Sequence, residues 1–425
     1  MFNGIQRKLL ASVLAVTATV LLFANPALAA GEVTISHYFT GSLGRAGLED
    51  IFAQFKKQTG ITVKDSPIGH EDFKTGILVR AAGNDLPDVF SYWAGARTQF
   101  VADSGHLHPI DDMWKREDLG DIIAKPIAEG ATLYNGHRYL VPFGYHYVGV
   151  FYNPHVMKKA GIKEMPKTWD EFKAMCAKLK SQGITPIALG SKNRWPAQFW
   201  FDYLLLRTAG PDYRADLMSG KASYTDPQVE KVMGLWKQLI DAGDFAPNSN
   251  AATWTDAADK VARGDAAMTL MGTWITGYWN NNKLEPGKDY EFFAFPTVTD
   301  GVPKAALGPV DGLVISKNAN NVAGAEKLLT FMVANPGVQA KWASIQGALS
   351  ANVKVDSSKY TSVMRHALKV IQNSDAFAFN YDLATPPPVA EVGLSMFAEF
   401  MNDPSGYKEM LKQTQAGASD AFAQQ

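Results

Sequence analysis

The stretch VTISHYFTGSLGRAGLEDIFAQFKKQTGITVKDSPIGHEDFKTGILVRAAGNDLPDVFSYW, Val33–Trp93, decides the fold class. Val33 to Phe39 reads as a strand, and Leu48, Ile51, Phe52 and Phe55 then share one face of a helix. Ile61 to Lys64 is a second strand, Asp72 to Ala82 a second helix and Asp88 to Trp93 a third strand. Gly83-Asn84-Asp85 and Pro87 punctuate the last turn. Strands and helices alternating at this spacing predict a right-handed βαβαβ unit in a largely parallel sheet.

A second α/β series starts near Val148, with strands over Val148 to Tyr152, Ile184 to Leu189, Ala266 to Met271 and Phe292 to Phe295. The clearest helix opens at Asp226-Pro227. Aspartate suits its cap and proline its first position, and Val229, Val232, Met233, Trp236, Leu239 and Ile240 form an apolar stripe. After Val310 to Ser316 the chain reads as mostly helical. Two α/β units leave a cleft between them, and 425 residues are enough for two domains.

Composition narrows the function. With 41 Lys+Arg against 42 Asp+Glu the chain lacks the basic footprint of a nucleic-acid binder. Its single cysteine excludes an intrachain disulfide framework and a Cys-based zinc site. Cys176 lies in a helical stretch and reads as a buried small side chain. Arg7 and Lys8, the uncharged run Leu9–Phe23 and Ala27-Leu28-Ala29 have the three parts of a secretory signal over residues 1–29. No cysteine at the cleavage site offers a lipid anchor, so the expectation is a soluble protein of the periplasm.

In open α/β sheets ligands bind beyond the carboxyl ends of the strands. Four strand exits here deliver an aromatic beside small and polar residues: His37-Tyr38-Phe39-Thr40-Gly41-Ser42, Tyr92-Trp93-Ala94-Gly95-Ala96-Arg97, Gly190-Ser191-Lys192-Asn193-Arg194-Trp195 and Gly272-Thr273-Trp274. Such a set fits a carbohydrate. Flat rings cover the C–H face of a pyranose, each contact adding roughly 0.5–1.5 kcal/mol beyond area. Planar Arg, Asn, Asp and His side chains bond its hydroxyls directionally. The remaining motifs imply no cofactor and no metal. His106, His108, Asp111 and Asp112 read as a solvated turn, and Gly41-x-x-Gly44-x-x-Gly47 lacks the Gly-Lys-Ser/Thr ending of a P-loop.

The chain resembles the extracellular solute-binding proteins of carbohydrate ABC importers, the cluster that includes maltose-binding protein. The marks are Phe55-Lys56-Lys57-Gln58-Thr59-Gly60-Ile61-x-Val63, Leu86-Pro87-Asp88-Val89, Val141-Pro142-Phe143 leading to Phe151-Tyr152-Asn153, Thr168-Trp169-Asp170-Glu171-Phe172, and Gly264-Asp265-Ala266-Ala267-Met268 through Gly272-Thr273-Trp274. The resemblance implies an α/β, two-lobed periplasmic-binding-protein-like fold of type II, each lobe a mainly parallel sheet flanked by helices, with a hinge between them. Its crossovers would fall near Pro142 to Tyr145, Phe295 to Val298 and Gln346 to Ala351. The lobes would then be 30–143 plus 297–350 and 144–296 plus 351–425.

Carried over residue by residue, Trp274 and Trp93 match stacking tryptophans of the family, and Arg97 a basic residue, while Ala96 replaces a neighbouring acid. His146 stands where maltose binders have a glutamate, and Gly393 stands at a late-helix aromatic platform. These departures imply a shorter or different sugar with fewer stacked rings. Asp311 is the preferred carboxylate for hydroxyl recognition, with Tyr38, His37, Trp195, Asn193, Arg194, Tyr145 and Asp382 completing the expected site. The expected partners are a carbohydrate and the membrane permease of an ABC importer, with the chain a monomer that does no chemistry. Two other readings stand beside this one. A secreted glycoside hydrolase or lyase would need two cleft carboxylates, and a receptor for a polyol or sugar acid would use Arg97 and Arg194.

Overall fold

The computed structural model describes residues 31–424, so the secretory signal expected over residues 1–29 lies outside the described residues. The strands among them begin with β1 Glu32–His37, β2 Thr62–Pro67, β3 Val89–Trp93, β4 Leu133–Tyr134, β5 His137–Arg138, β6 Leu140–Tyr145 and β7 Val148–Tyr152. They continue with β8 Thr185–Ile187, β9 Ala266–Gly272, β10 Glu291–Phe293, β11 Ala305–Leu307, β12 Val310–Ile315 and β13 Ala376–Ala378. One sheet has the order β2-β1-β3-β12-β6 and a second the order β10-β7-β9-β8, while β11-β13 and β4-β5 are separate pairs.

The helices form where the sequence periodicity places them. Helix Ser42–Thr59 buries Leu48, Ile51, Phe52 and Phe55, and Gly60 closes it at φ 76°, a left-handed cap that costs glycine nothing. Helix Trp169–Ser181 opens with a capping box in which Thr168 and Glu171 satisfy each other's backbone N–H groups. Helix Pro227–Asp241 buries Val229, Val232, Met233, Trp236 and Leu239. Asp226 precedes it without capping it. Its carboxylate accepts instead from the Tyr213 hydroxyl and the Ser223 N–H, both at 3.0 Å.

The sheets correct one expectation. β1 is parallel to β2 and β3, but β12 runs antiparallel to β3 and β6. In the second sheet β8 and β9 are parallel, whereas β7 opposes both β9 and β10. Each sheet is therefore mixed, with one strand reversed, and that strand is the one by which the chain enters the lobe. The other strands end at the cleft. A chain arriving from the other lobe starts there and must run away from it.

Two hydrophobic cores define the lobes. Phe143 and Tyr145 belong to the first core and Tyr147 and Val148 to the second, so the first crossing lies at 146. The return crossing falls later than the expected 297. Phe295 and Ala305, Ala306 and Leu307 pack in the second core, and Val310 is the next residue in the first. The intervening segment is tied to the second lobe by a bridge between Thr297 and Thr168 and by the β11–β13 pair. Leu349 and Ala351 still belong to the first core, and helix Ser362–Gln372 lies against both, with Met364 in the first and Val363 and Ala367 in the second. The third crossing therefore also lies beyond the expected 350.

Candidate functional site

The strand ends of both lobes converge on one cavity of about 620 Å³. Eight of the expected residues line it: Tyr38, Trp93 and Asp311 from the first lobe, Asn193, Trp195 and Trp274 from the second, His146 on the first crossing, and Asp382 from the short helix Tyr381–Ala384.

These residues have distinct roles in the wall. The Tyr38 and Trp93 rings lie parallel, 4.3 Å apart and 9° from coplanar, so tyrosine already covers one face of that indole. The Tyr38 hydroxyl donates to Asp311 Oδ1 at 2.7 Å, and Asp311 Oδ2 meets His146 Nε2 at 3.1 Å. Burial, reinforced by the Asp311 charge, pushes the Tyr38 hydroxyl well above its ordinary range, so it stays a proton donor. His146 Nδ1 lies 3.0 Å from Thr273 Oγ1 and 3.2 Å from the Gly347 carbonyl. His146 thus links the first crossing to Asp311 just past the second and to Gly347 just ahead of the third.

Trp274 is the open plate. It opens helix Trp274–Asn281, is only half-buried, and turns its ring edge-to-face toward His146 and Trp195 at 5.4 and 5.9 Å. Gly272 permits this, because a Cβ there would overlap the Trp274 ring. Trp195, by contrast, is buried, and its Nε1–H donates to Glu71 Oε1 in the opposite lobe at 2.9 Å. Another cross-lobe contact is Lys74 Nζ to Asp382 Oδ2 at 3.1 Å, with Gln198 Nε2 donating to the other Asp382 oxygen at 2.9 Å. Burial opposes ionisation of Asp382. The charges of Lys74 and Arg97 and the Gln198 hydrogen bond outweigh it and hold the carboxyl below the usual range. Glu71 behaves alike. Against burial, its bond with His70, the charge of Lys74 and the Trp195 N–H lower it.

Four expected residues are not on the cavity wall. His37, the last residue of β1, is fully buried behind Phe39 and 3.6 Å from Asp65, and burial lowers its pKa. Tyr145 is turned edge-on to Phe377, because its neighbour His146 takes the cleft side. Arg97 stands behind Trp93, its guanidinium 5.8 Å from the ring and its Nε donating to the Asp382 carbonyl. Arg194 points outward to Glu391 at 2.6 Å and Ser395 at 3.0 Å. Gly393 offers no platform either. A Cβ there would strike the buried Tyr381 ring, so glycine makes room for that packing.

The sequence reading passed over several wall residues. Glu71, His70 and Lys74 follow the exit of β2, the one strand end of the first unit left unread. Tyr278 is four residues after Trp274 and so on the same helix face. Trp254 had no signal, since no strand precedes it. Cys176 is fully buried, its thiol pushed up by burial. No three metal-ligating side chains cluster among the described residues.

Two α/β lobes joined by three crossings around a shared polar and aromatic cavity define a hinged solute receptor. The chain belongs to the bacterial extracellular solute-binding proteins, whose family pattern matches residues 41–339. It is 30% identical over 351 residues to an uncharacterized ABC transporter extracellular-binding protein of Pyrococcus horikoshii, covering 81% of this chain and 77% of that one. A probable sugar-binding periplasmic protein of Mesorhizobium japonicum is 25% identical over 398 residues, 91% of this chain and 92% of its own. Among solved structures, the bacterial solute receptor AcbH, described as having an exclusive preference for β-D-galactopyranose, superposes with a TM-score of 0.85 at 26% identity. The match covers 92% of this chain and all of that one. The family and these relatives are binding proteins rather than enzymes.

Proposed function

We propose that this protein is the sugar-binding component of an ABC importer. It captures a neutral mono- or short oligosaccharide between its lobes and presents it to a membrane permease. It works as a monomer in the periplasm after removal of residues 1–29, and it does no chemistry. The observation that carries the reading is the half-buried Trp274 ring facing a cavity whose hydrogen-bonding groups come from both lobes. Contacts available only when the lobes meet give the ligand its preference for the closed form.

Charge argues for a neutral ligand. Arg97 and Arg194, which would have served a carboxylate, are off the wall, and Lys74 is committed to Asp382. Glu71, Asp311 and Asp382 would repel a sugar acid. Two of the wall carboxylates are held in the ionised form. Glycoside cleavage needs a carboxylic acid kept protonated by a raised pKa, whereas Glu71 and Asp382 are both lowered.

Calorimetry and thermal shift against a saccharide panel test the proposal. Ligand at 100 times its dissociation constant should add about 2.7 kcal/mol of stability. Trp274→Ala should lose most sugar affinity while leaving the apo thermal midpoint within a few degrees. No saccharide binding, or release of reducing sugar from a glycoside, would overturn the reading.

A further inference from the structure

Two indoles and a carboxylate of the cavity wall converge on one point, and a side chain of the protein already fills it. Trp93 ends β3 in the first lobe, Trp195 belongs to the second, and Asp382 lies on the short helix Tyr381–Ala384. The Lys74 ammonium is 5.9 Å from the centroid of the Trp93 ring and 5.9 Å from that of Trp195. Both distances are within the ~6 Å over which an indole face attracts a cation. Asp382 Oδ2 is 3.1 Å from the same nitrogen. Aromatic faces with a carboxylate between them are the chemistry of a cation site.

The walls of this site are fixed independently of the lysine. Gln198 Nε2 donates to the second Asp382 oxygen at 2.9 Å, and the Asp382 N–H donates to Gln198 Oε1 at 2.8 Å. Arg97 Nε holds the Asp382 carbonyl at 3.1 Å, and Trp195 is anchored by its Nε1–H to Glu71. The Lys74 and Asp382 side chains are only 14% and 4% exposed, so solvent screens their contact little. Emptied, such a box would take an amine from solution. Lys74 reaches it from the second turn of helix His70–Ala82, whose Phe73 and Ile77 pack in the first core. The helix bearing Asp382 touches both cores, with Tyr381 in the second and Leu383 in the first. One ammonium is therefore gripped from both lobes.

We propose that Lys74 is a tethered internal ligand. Its ammonium occupies a cation site made by Trp93, Trp195 and Asp382, which keeps cationic solutes out of the cavity and draws the lobes together before any solute arrives. An acidic, aromatic cavity can thereby serve a neutral sugar, the reading given above. The test uses no sugar, so either reading can fail without the other.

The experiment empties the site and refills it. Lys74→Ala removes everything beyond Cβ, a fragment that n-propylammonium replaces. Calorimetry and thermal shift on the mature chain compare n-propylammonium chloride with sodium chloride at equal ionic strength. The ion should bind Lys74→Ala at least about tenfold more tightly than the parent, whose site is full. It should also restore most of the thermal midpoint that the substitution loses. 1-Propanol, which has the same shape without the charge, should restore none of it. Adding Asp382→Asn should abolish the response to the ion. Lys74→Met fills the slot with an uncharged chain. It should lower the midpoint, widen the lobe separation seen by small-angle scattering and respond to neither compound. Equal binding of n-propylammonium by parent and Lys74→Ala, or equal rescue by 1-propanol, overturns the proposal. So does a Lys74→Met protein as stable and as closed as the parent.

Discussion

Replacing Trp195 by phenylalanine tests whether the lobes are clasped across the mouth of the cavity. Phenylalanine preserves the ring that packs on Phe199 at 5.8 Å but removes the Nε1–H that reaches Glu71 at 2.9 Å. Glu71 is held below the usual carboxylate range, so the bond is to an ionised acceptor, a class worth about 1.5–3 kcal/mol. Because the Glu71 side chain is 39% exposed, the lower end applies. About 1.5 kcal/mol is close to a tenfold shift of the closure equilibrium. If the ligand binds only the closed form, its dissociation constant rises by up to that factor. Calorimetry measures the constant, and small-angle scattering of the apoprotein measures lobe separation, which should increase. Since Trp195 also borders the ligand, a double-mutant cycle with Glu71→Ala separates clasp from contact. The double variant should be no weaker than the more impaired single one. Additive losses, or an unchanged apo scattering profile, would refute the clasp.

Further outcomes follow from other contacts. Gly272→Ala places a Cβ into the Trp274 ring. It should displace that plate and weaken sugar binding by about tenfold, read by calorimetry together with a change in tryptophan fluorescence. His37 is buried with a lowered pKa, so the unfolded chain takes up its proton first as pH falls. Its contribution is complete above the unfolded value of about 6.5 and is lost below it. His37→Asn should therefore show a smaller fall in thermal midpoint between pH 7 and 5 than the parent. Arg214 is buried and donates to Asp202 Oδ1 and to the Phe379 carbonyl, while Asp202 Oδ2 accepts the Tyr381 N–H. Arg214→Met leaves that carboxylate unpaired and should cost about 3–5 kcal/mol in urea unfolding. It should also weaken sugar binding, because the Asp382 segment hangs on the same bonds.

The reach of sequence reasoning differed from residue to residue. Local periodicity carries through folding wherever burial is decided within one element. The stripe of Leu48, Ile51, Phe52 and Phe55 is buried as read, and so is that of Val229 to Ile240 up to Leu239, with Ile240 itself half-buried. A motif at a strand exit was legible as a place, while the part each residue plays in it came from the structure. Gly272-Thr273-Trp274 needs glycine for the ring to lie back and threonine for the hydroxyl that meets His146. The direction of β7 and β12 was not legible, because strand polarity in a two-lobed chain follows from where the crossings fall.

At the level of the site, the sequence alone established that aromatic and polar residues leave the strands together at their carboxyl ends, since alternation of strands and helices is a local property. Which of those side chains face the cleft was settled by packing between distant segments. Just past the ends of β1 and β6, Tyr38 and His146 meet Asp311 on the cavity wall, while their neighbours His37 and Tyr145 pack against Asp65 and Phe377. Glu391 draws Arg194 outward, and Asp382 holds Arg97 behind Trp93. Trp254 and Tyr278 reach the cavity because two helices on either side of β9, Trp254–Arg263 and Trp274–Asn281, present them at one wall. A side chain's direction depends on its contacts, and most of the contacts that matter here join residues more than a hundred positions apart, such as Tyr38 with Asp311 and Glu71 with Trp195.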